Sequence, residues 1–166
     1  MLMNIRPLRY RLRFFSTPPA FILLLAFVIT LTCADSALAQ KKVKLKQADQ
    51  LRSGKDKEGT KFQRVIGNVV FTQNRTTIYC DSAYFFKEKN SIEAFGRIRI
   101  TEGDSITITG NKLEYDGNNK KAKLRNNVVF TKLETSTLYT DFLDFDRPKN
   151  TAYYFNGGRL VDSINV

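Results

Sequence analysis

Histidine and tryptophan are absent from this chain of 166 residues, and it holds only two cysteines. Without histidine there is no Ser-His-Asp triad, no Cys-His dyad, no imidazole-ligated zinc and no imidazole acid–base catalysis. Chemistry resting on a carboxylate, lysine or serine survives, as does no chemistry at all. No apolar run reaches the roughly 20 residues that a comfortable transmembrane helix needs. What is present is 42% hydrophobic and 12% aromatic residues with a net charge of +11. That composition supports a packed core and argues against a disordered chain, and the length suits one domain of ordinary size. It leans toward a binding or structural protein.

The first residues read as an address. Arg6, Arg9, Arg11 and Arg13 precede a short apolar stretch from Ala20 to Leu31, then the small-residue exit Ala37-Leu38-Ala39. This is the order of a secretory signal peptide cleaved after Ala39. The competing readings are an uncleaved anchor and a lipidated N-terminus at Cys33, although Thr32 is larger than the residue that should precede a lipidated cysteine. Cleavage removes four arginines and one aspartate, taking +11 to +8, and leaves Cys80 as the sole cysteine. No intramolecular disulfide is then available in an oxidising compartment. Cys80, between Tyr79 and Asp81, reads as a small buried hydrophobe.

After residue 40 the chain repeats itself. A turn followed by an apolar alternation recurs at Gly67-Asn68-Val69-Val70-Phe71, Gly96-Arg97-Ile98-Arg99-Ile100, Asn126-Asn127-Val128-Val129-Phe130 and Gly157-Gly158-Arg159-Leu160-Val161, at spacings of 29, 30 and 31. Tyr84-Phe85-Phe86, Leu113-Glu114-Tyr115 and Leu143-Asp144-Phe145 each begin 17 positions after their anchor. Ile92 and Ala94, Ala122 and Leu124, Tyr153 and Phe155 keep step ahead of the next one. A period near 30 marks stacked supersecondary units, none able to bury its apolar face alone. Within each unit the period is two, the mark of half-buried strands. The tetrads at 87–90, 116–119 and 147–150 supply the turns. These residues predict an all-β fold: a sandwich, a jelly roll or a short β-solenoid.

Residues 45–51 resemble the middle element Asp81-Ser82-Ala83-Tyr84, and only nine residues follow Gly157. The chain thus reads as beginning and stopping in complementary halves of a repeat, which predicts head-to-tail self-association through open strand edges. Truncation from a longer protein is the alternative.

The Gly-Asn-Val-Val-Phe anchor (67–71), Asp-Ser-Ala-x-Phe (81–85), Asn-x-Leu-x-Tyr (111–115) and Asn-Asn-Val-Val-Phe (126–130), taken as an ordered series, resemble the OstA/LptA-like family of lipopolysaccharide transport proteins. The resemblance covers residues 44–166. It implies a repeat-built, slightly twisted open β-jelly roll with an apolar trough for acyl chains. It also implies a periplasmic bridge between inner-membrane and outer-membrane lipopolysaccharide transport components, built by edge-to-edge stacking. Lipopolysaccharide, through its lipid A, would be the ligand, with no enzymatic activity, cofactor or metal.

Alternation predicts an inward set of Val69, Phe71, Ile78, Tyr84, Phe86, Ile98, Ile100, Ile106, Ile108, Leu113, Tyr115, Val128, Phe130, Leu138, Leu143 and Phe145. From the residues alone this set is either a closed core or, if two sheets diverge, a trough lined by Phe71, Phe86, Tyr115, Phe130 and Phe145. The resemblance favours the trough. Lys41, Lys42, Lys44, Lys46, Arg52, Lys55, Lys57 and Lys61 form a basic lead-in, either a solvated arm or an attractor for lipid A phosphates. Arg97, Arg99, Lys121, Lys123 and Arg125 add outward charge. Secretion and the lack of a nucleic-acid motif argue against a nucleic-acid partner. Two alternatives stand beside the carrier. One is a protein-binding OstA-like module of a longer outer-membrane assembly protein. The other is a carbohydrate-active β-sandwich enzyme using Asp144 and Asp146, which alternate with Leu143 and Phe145 like an ordinary solvent face.

Overall fold

A computed structural model describes residues 42–133 and 135–162, and the described chain is all β. The predicted signal peptide and Cys33 lie outside the described residues. Ten strands follow in order: β1 (Lys44–Gln47), β2 (Gln50–Lys55), β3 (Lys61–Gln73), β4 (Thr76–Phe86), β5 (Ser91–Glu102), β6 (Ile106–Asp116), β7 (Lys121–Lys132), β8 (Ser136–Asp146), β9 (Thr151–Tyr154) and β10 (Arg159–Asp162). All pairings are antiparallel, and β3 to β8 form a simple meander. Two short strands lie along each outer long strand: β1 and β2 on β3, β9 and β10 on β8.

The meander is folded over on itself, and the anchors of the repeat do the folding. In every pairing from β3 to β8 the odd-numbered strand spends one residue more than its neighbour midway along, the signature of a β-bulge. The extra residue sits at a left-handed pair: Gly67–Asn68 (φ 79° and 46°), Gly96–Arg97 (73° and 34°) or Asn126–Asn127 (65° and 53°). Glycine and asparagine tolerate that conformation, which explains the composition of the anchors. Aspartates beside the bulges brace them, Asp49 from the β1–β2 connection and Asp81 and Asp141 from neighbouring strands. Asp49 accepts from Asn68 at 2.9 Å, Asp81 takes Arg97 through Nε and Nη2 at 3.0 and 2.7 Å, and Asp141 accepts the Asn127 backbone N–H at 3.0 Å. On a flat strand Ile78 and Phe85 would stand about 23 Å apart. Yet Phe71, the cross-strand partner of Ile78, has its ring 5.3 Å from that of Phe85. The bulges therefore crease one sheet into two facing layers. The first comprises β1, β10 and residues 69–73, 76–80, 98–102, 106–110, 128–132 and 136–140. The second comprises β2, β9 and the remaining halves of β3 to β8.

The fourth anchor corrects the sequence-based register. The left-handed pair is Asn156–Gly157 (65° and 92°), not Gly157–Gly158. Leu160 then pairs with Leu138, as Phe130 does on the other side, so the last interval is 30 residues.

Candidate functional site

The inner faces of the two layers are built from rows of side chains running across strands. One row, in the first layer, passes through Leu45, Phe71, Ile78, Ile100, Ile108, Phe130, Leu138 and Leu160. Its counterpart in the second layer passes through Leu51, Val65, Ala83, Ala94, Leu113, Leu124, Leu143 and Tyr154. A further second-layer row links Gln63, Phe85, Ile92, Tyr115, Ala122, Phe145 and Ala152. No strand in the path breaks the apolar line, so it runs from one edge of the described sheet to the other.

Ten of the twelve residues assigned from sequence to the apolar trough lie on these inner faces. Val69, Phe71, Ile98, Ile100, Leu113, Tyr115, Val128, Leu143 and Phe145 are buried, and Phe130 is half-buried with its ring 5.9 Å from that of Phe145. Tyr84 and Phe86 are corrections: they face outward, where Phe62 meets both rings at 5.2 and 6.2 Å and Tyr84 also meets Phe95. The inward residue is Phe85, buried beside Ala83. The cause is one residue of loop. The β3–β4 hairpin turns on Asn74 and Arg75 alone, whereas the β5–β6 and β7–β8 loops use three residues. Counting 17 forward from the anchor therefore overshoots in the first repeat, and a one-residue slip exchanges the faces of a strand. Counting back from the four-residue turns finds Phe85, Tyr115 and Phe145 at intervals of 30.

In the middle of the molecule the two layers close on each other. Tyr115 Oη donates to Gln73 Oε1 at 2.6 Å, and Gln73 Nε2 donates to the Gly117 carbonyl at 2.7 Å. Arg147 pairs with Glu102, whose carboxylate also accepts from the Thr76 hydroxyl. The Val43 N–H donates to Asn90 Oδ1 at 2.8 Å. Each latch ties the tip of the first layer to a second-layer turn or the strand end beside it, some 42 to 47 residues further along the chain. Beneath them, the enclosed space among Ile100, Ile108, Tyr115, Phe145 and Arg147 measures about 10 Å³, room for no more than one water. Burial pushes the Tyr115 phenol up to about 12. It does the same to the Cys80 thiol, with Asp81 adding to the rise, so Cys80 stays protonated and unreactive at neutral pH.

At the edges the same rows emerge into solvent. Leu51 is 49% exposed, Tyr154 50% and Leu160 64%. The outer face beside β9 and β10 adds Tyr153, Phe155 and Val161 as exposed apolar groups. Arg125 lies against both the Phe142 and Phe155 rings, 5.5 and 5.4 Å from their centres, which are 5.3 Å apart. Asp144 and Asp146, the sequence candidates for paired carboxylates, are each held by a separate cation: Arg125 at 2.8 Å and Lys121 at 3.3 Å. At the β2 end a cavity of about 450 Å³ is lined by Lys55, Lys61, Lys87, Glu88, Phe62 and Phe85.

The OstA-like protein family matches residues 40–166, the whole of the described fold. The chain belongs to that family. Among solved structures, the fold matches that of LptH from Pseudomonas aeruginosa, titled the LptA-homologous periplasmic component of the conserved lipopolysaccharide transport device. The TM-score is 0.62 at 14% identity, covering 74% of this chain and 95% of that one. No curated protein matches the sequence. The creased antiparallel sheet is thus the family's jelly-roll-like fold, all β as the repeat pattern predicted and a jelly roll as the resemblance implied.

Proposed function

We propose that this OstA-like chain is a non-enzymatic periplasmic carrier of lipopolysaccharide, shielding acyl chains between its two layers and passing them along a stack of like domains. One observation carries the proposal: the inner apolar rows are continuous across eight strands and exposed at both described edges. A protein that needed these rows only as a core would gain from covering Leu51, Tyr154 and Leu160, since burying such a side chain contributes about 1.5–3 kcal/mol. Each acyl methylene placed against the rows gains about 0.8 kcal/mol. Because the middle is filled, acyl chains enter at an edge and take the place of contacts between layers as these part about the bulges. Strands β9 and β10 run antiparallel to the direction that β1 and β2 of a second copy would present, so two copies can join with row meeting row. The same edges would receive the inner-membrane and outer-membrane transport components.

The filled middle favours a second reading, a protein-binding module within an outer-membrane assembly, whose edges take only protein strands. Titration of the purified protein with fluorescently labelled lipopolysaccharide separates the two. The carrier binds saturably and releases the label to unlabelled lipopolysaccharide; the module does not bind it.

A further inference from the structure

The charge at the β2 end has a more specific arrangement than a basic lead-in. Lys55 and Lys61 stand directly opposite each other across β2 and β3. Lys87 follows the buried Phe85 by two positions at the end of β4, and all three line the 450 Å³ cavity. By the alternation of their strands these lysines extend the inner face, directly beyond the row of Ser53, Gln63 and Phe85. Like charges placed opposite each other in a sheet destabilise it. Elsewhere along this end of the second layer the equivalent turn positions are tied to the first layer: Gly117 by Gln73, Arg147 by Glu102. At the β2 end the only ion pair among the described residues is Lys61 with Glu88, at 4.0 Å with both side chains 71% exposed. Such a pair contributes little. The lysines thus leave positive charge beyond the inward-facing Phe85, with Glu88 the one acid on the cavity wall.

We infer that this cavity is a head-group site for a phosphorylated, acyl-bearing amphiphile: phosphate oxygens on Lys55, Lys61 and Lys87, the first stretch of acyl chain beside the inward Phe85. Three ammonium groups on adjacent strands span roughly 10 Å, a spread suited to a phosphate carrying close to two charges rather than to a single carboxylate. Charge outside and rings inside also orient the ligand, with the head at the tip of the sheet and the tails directed along the inner rows. The inference rests on the carrier reading above and specifies which end of the lipid meets which end of the sheet.

The test compares bisphosphorylated lipid A with the same lipid A stripped of phosphate by phosphatase, titrated against the purified protein. Three forms are used: the natural sequence, the triple variant Lys55→Gln/Lys61→Gln/Lys87→Gln, and the control Lys42→Gln/Lys44→Gln/Lys46→Gln, which removes equal charge near β1. The natural protein should prefer the phosphorylated form by about tenfold, the sum of several modest ion pairs. The site variant should lose that preference while binding the dephosphorylated lipid as before, and the control should keep it. Equal binding of both lipids by the natural protein, or an unchanged preference in the site variant, overturns the head-group site and leaves the carrier intact. Failure of the natural protein to bind either lipid overturns the carrier, and the site with it. Circular dichroism of the three forms checks that all are folded.

Discussion

The middle of the sheet and its two edges use the same rows of residues to opposite ends. Between β4 and β7, Ile78, Ile108, Leu113 and Leu124 are fully buried, and polar latches hold the layers together. At β2, β9 and β10 the next members of the same rows stand in solvent. Buried core and exposed apolar edge therefore occupy different positions along one periodic pattern. The repeat builds a core wherever it has a neighbour on each side, and leaves apolar side chains exposed wherever it lacks one.

Substitutions should separate the regions sharply. Replacing Leu113 or Leu124 with alanine should cost about 2–5 kcal/mol in urea unfolding, whereas Leu51→Ala or Leu160→Ala should cost no more than about 0.5 kcal/mol. Comparable losses at both places would mean that the edges are buried in solution. Removing a latch comes next. Arg147→Ala leaves the Glu102 carboxylate largely buried without its cation and should cost about 2 kcal/mol, while Lys61→Ala, at an exposed ion pair, should be silent in the same assay.

Alkaline pH offers a subtler contrast. Cys80 and Tyr115 hold their protons up to about 12, against ordinary values of 9.0 and 10.0. The unfolded chain ionises first, so the stability from keeping these groups neutral is fully present below pH 9 and falls as pH climbs toward 12. Cys80→Ala should remove the part of the decline that begins near pH 9, and Tyr115→Phe the part above pH 10.

The smallest effect concerns the loop tips. Leu133, 59% exposed, adopts a φ of 51° where the other two hairpins place Asn74 and Gly103. Leu133→Gly should therefore raise stability by about 1 kcal/mol, a gain absent from Gly103→Ala. A loss on Leu133→Gly would show that the exposed leucine is packed in solution, as a contact between copies would require.

Much of this was legible because the fold is periodic. Ile98 and Ile100 alternating with Arg97 and Arg99, and the turn tetrads 30 residues apart, report strand, face and length without reference to distant contacts. The failures came where one residue of loop or bulge altered the count. The short Asn74–Arg75 turn exchanged Phe85 for Tyr84 and Phe86, and Asn156, rather than Gly158, completed the fourth left-handed pair. Latches such as Gln73 with Tyr115 and Glu102 with Arg147 join residues 42 and 45 apart. They were invisible because nothing in a strand pattern records how far the sheet folds over.

Photocrosslinking in cells, from single photoreactive residues at Phe130 and Leu160 on the inner row and at Tyr139 and Tyr79 on the outer face, tests the central claim most directly. The account predicts lipopolysaccharide adducts from positions 130 and 160 and none from 139 or 79. Adducts from the outer positions alone, or from no position in a folded and exported protein, would contradict it and return the inner rows to the role of a closed core.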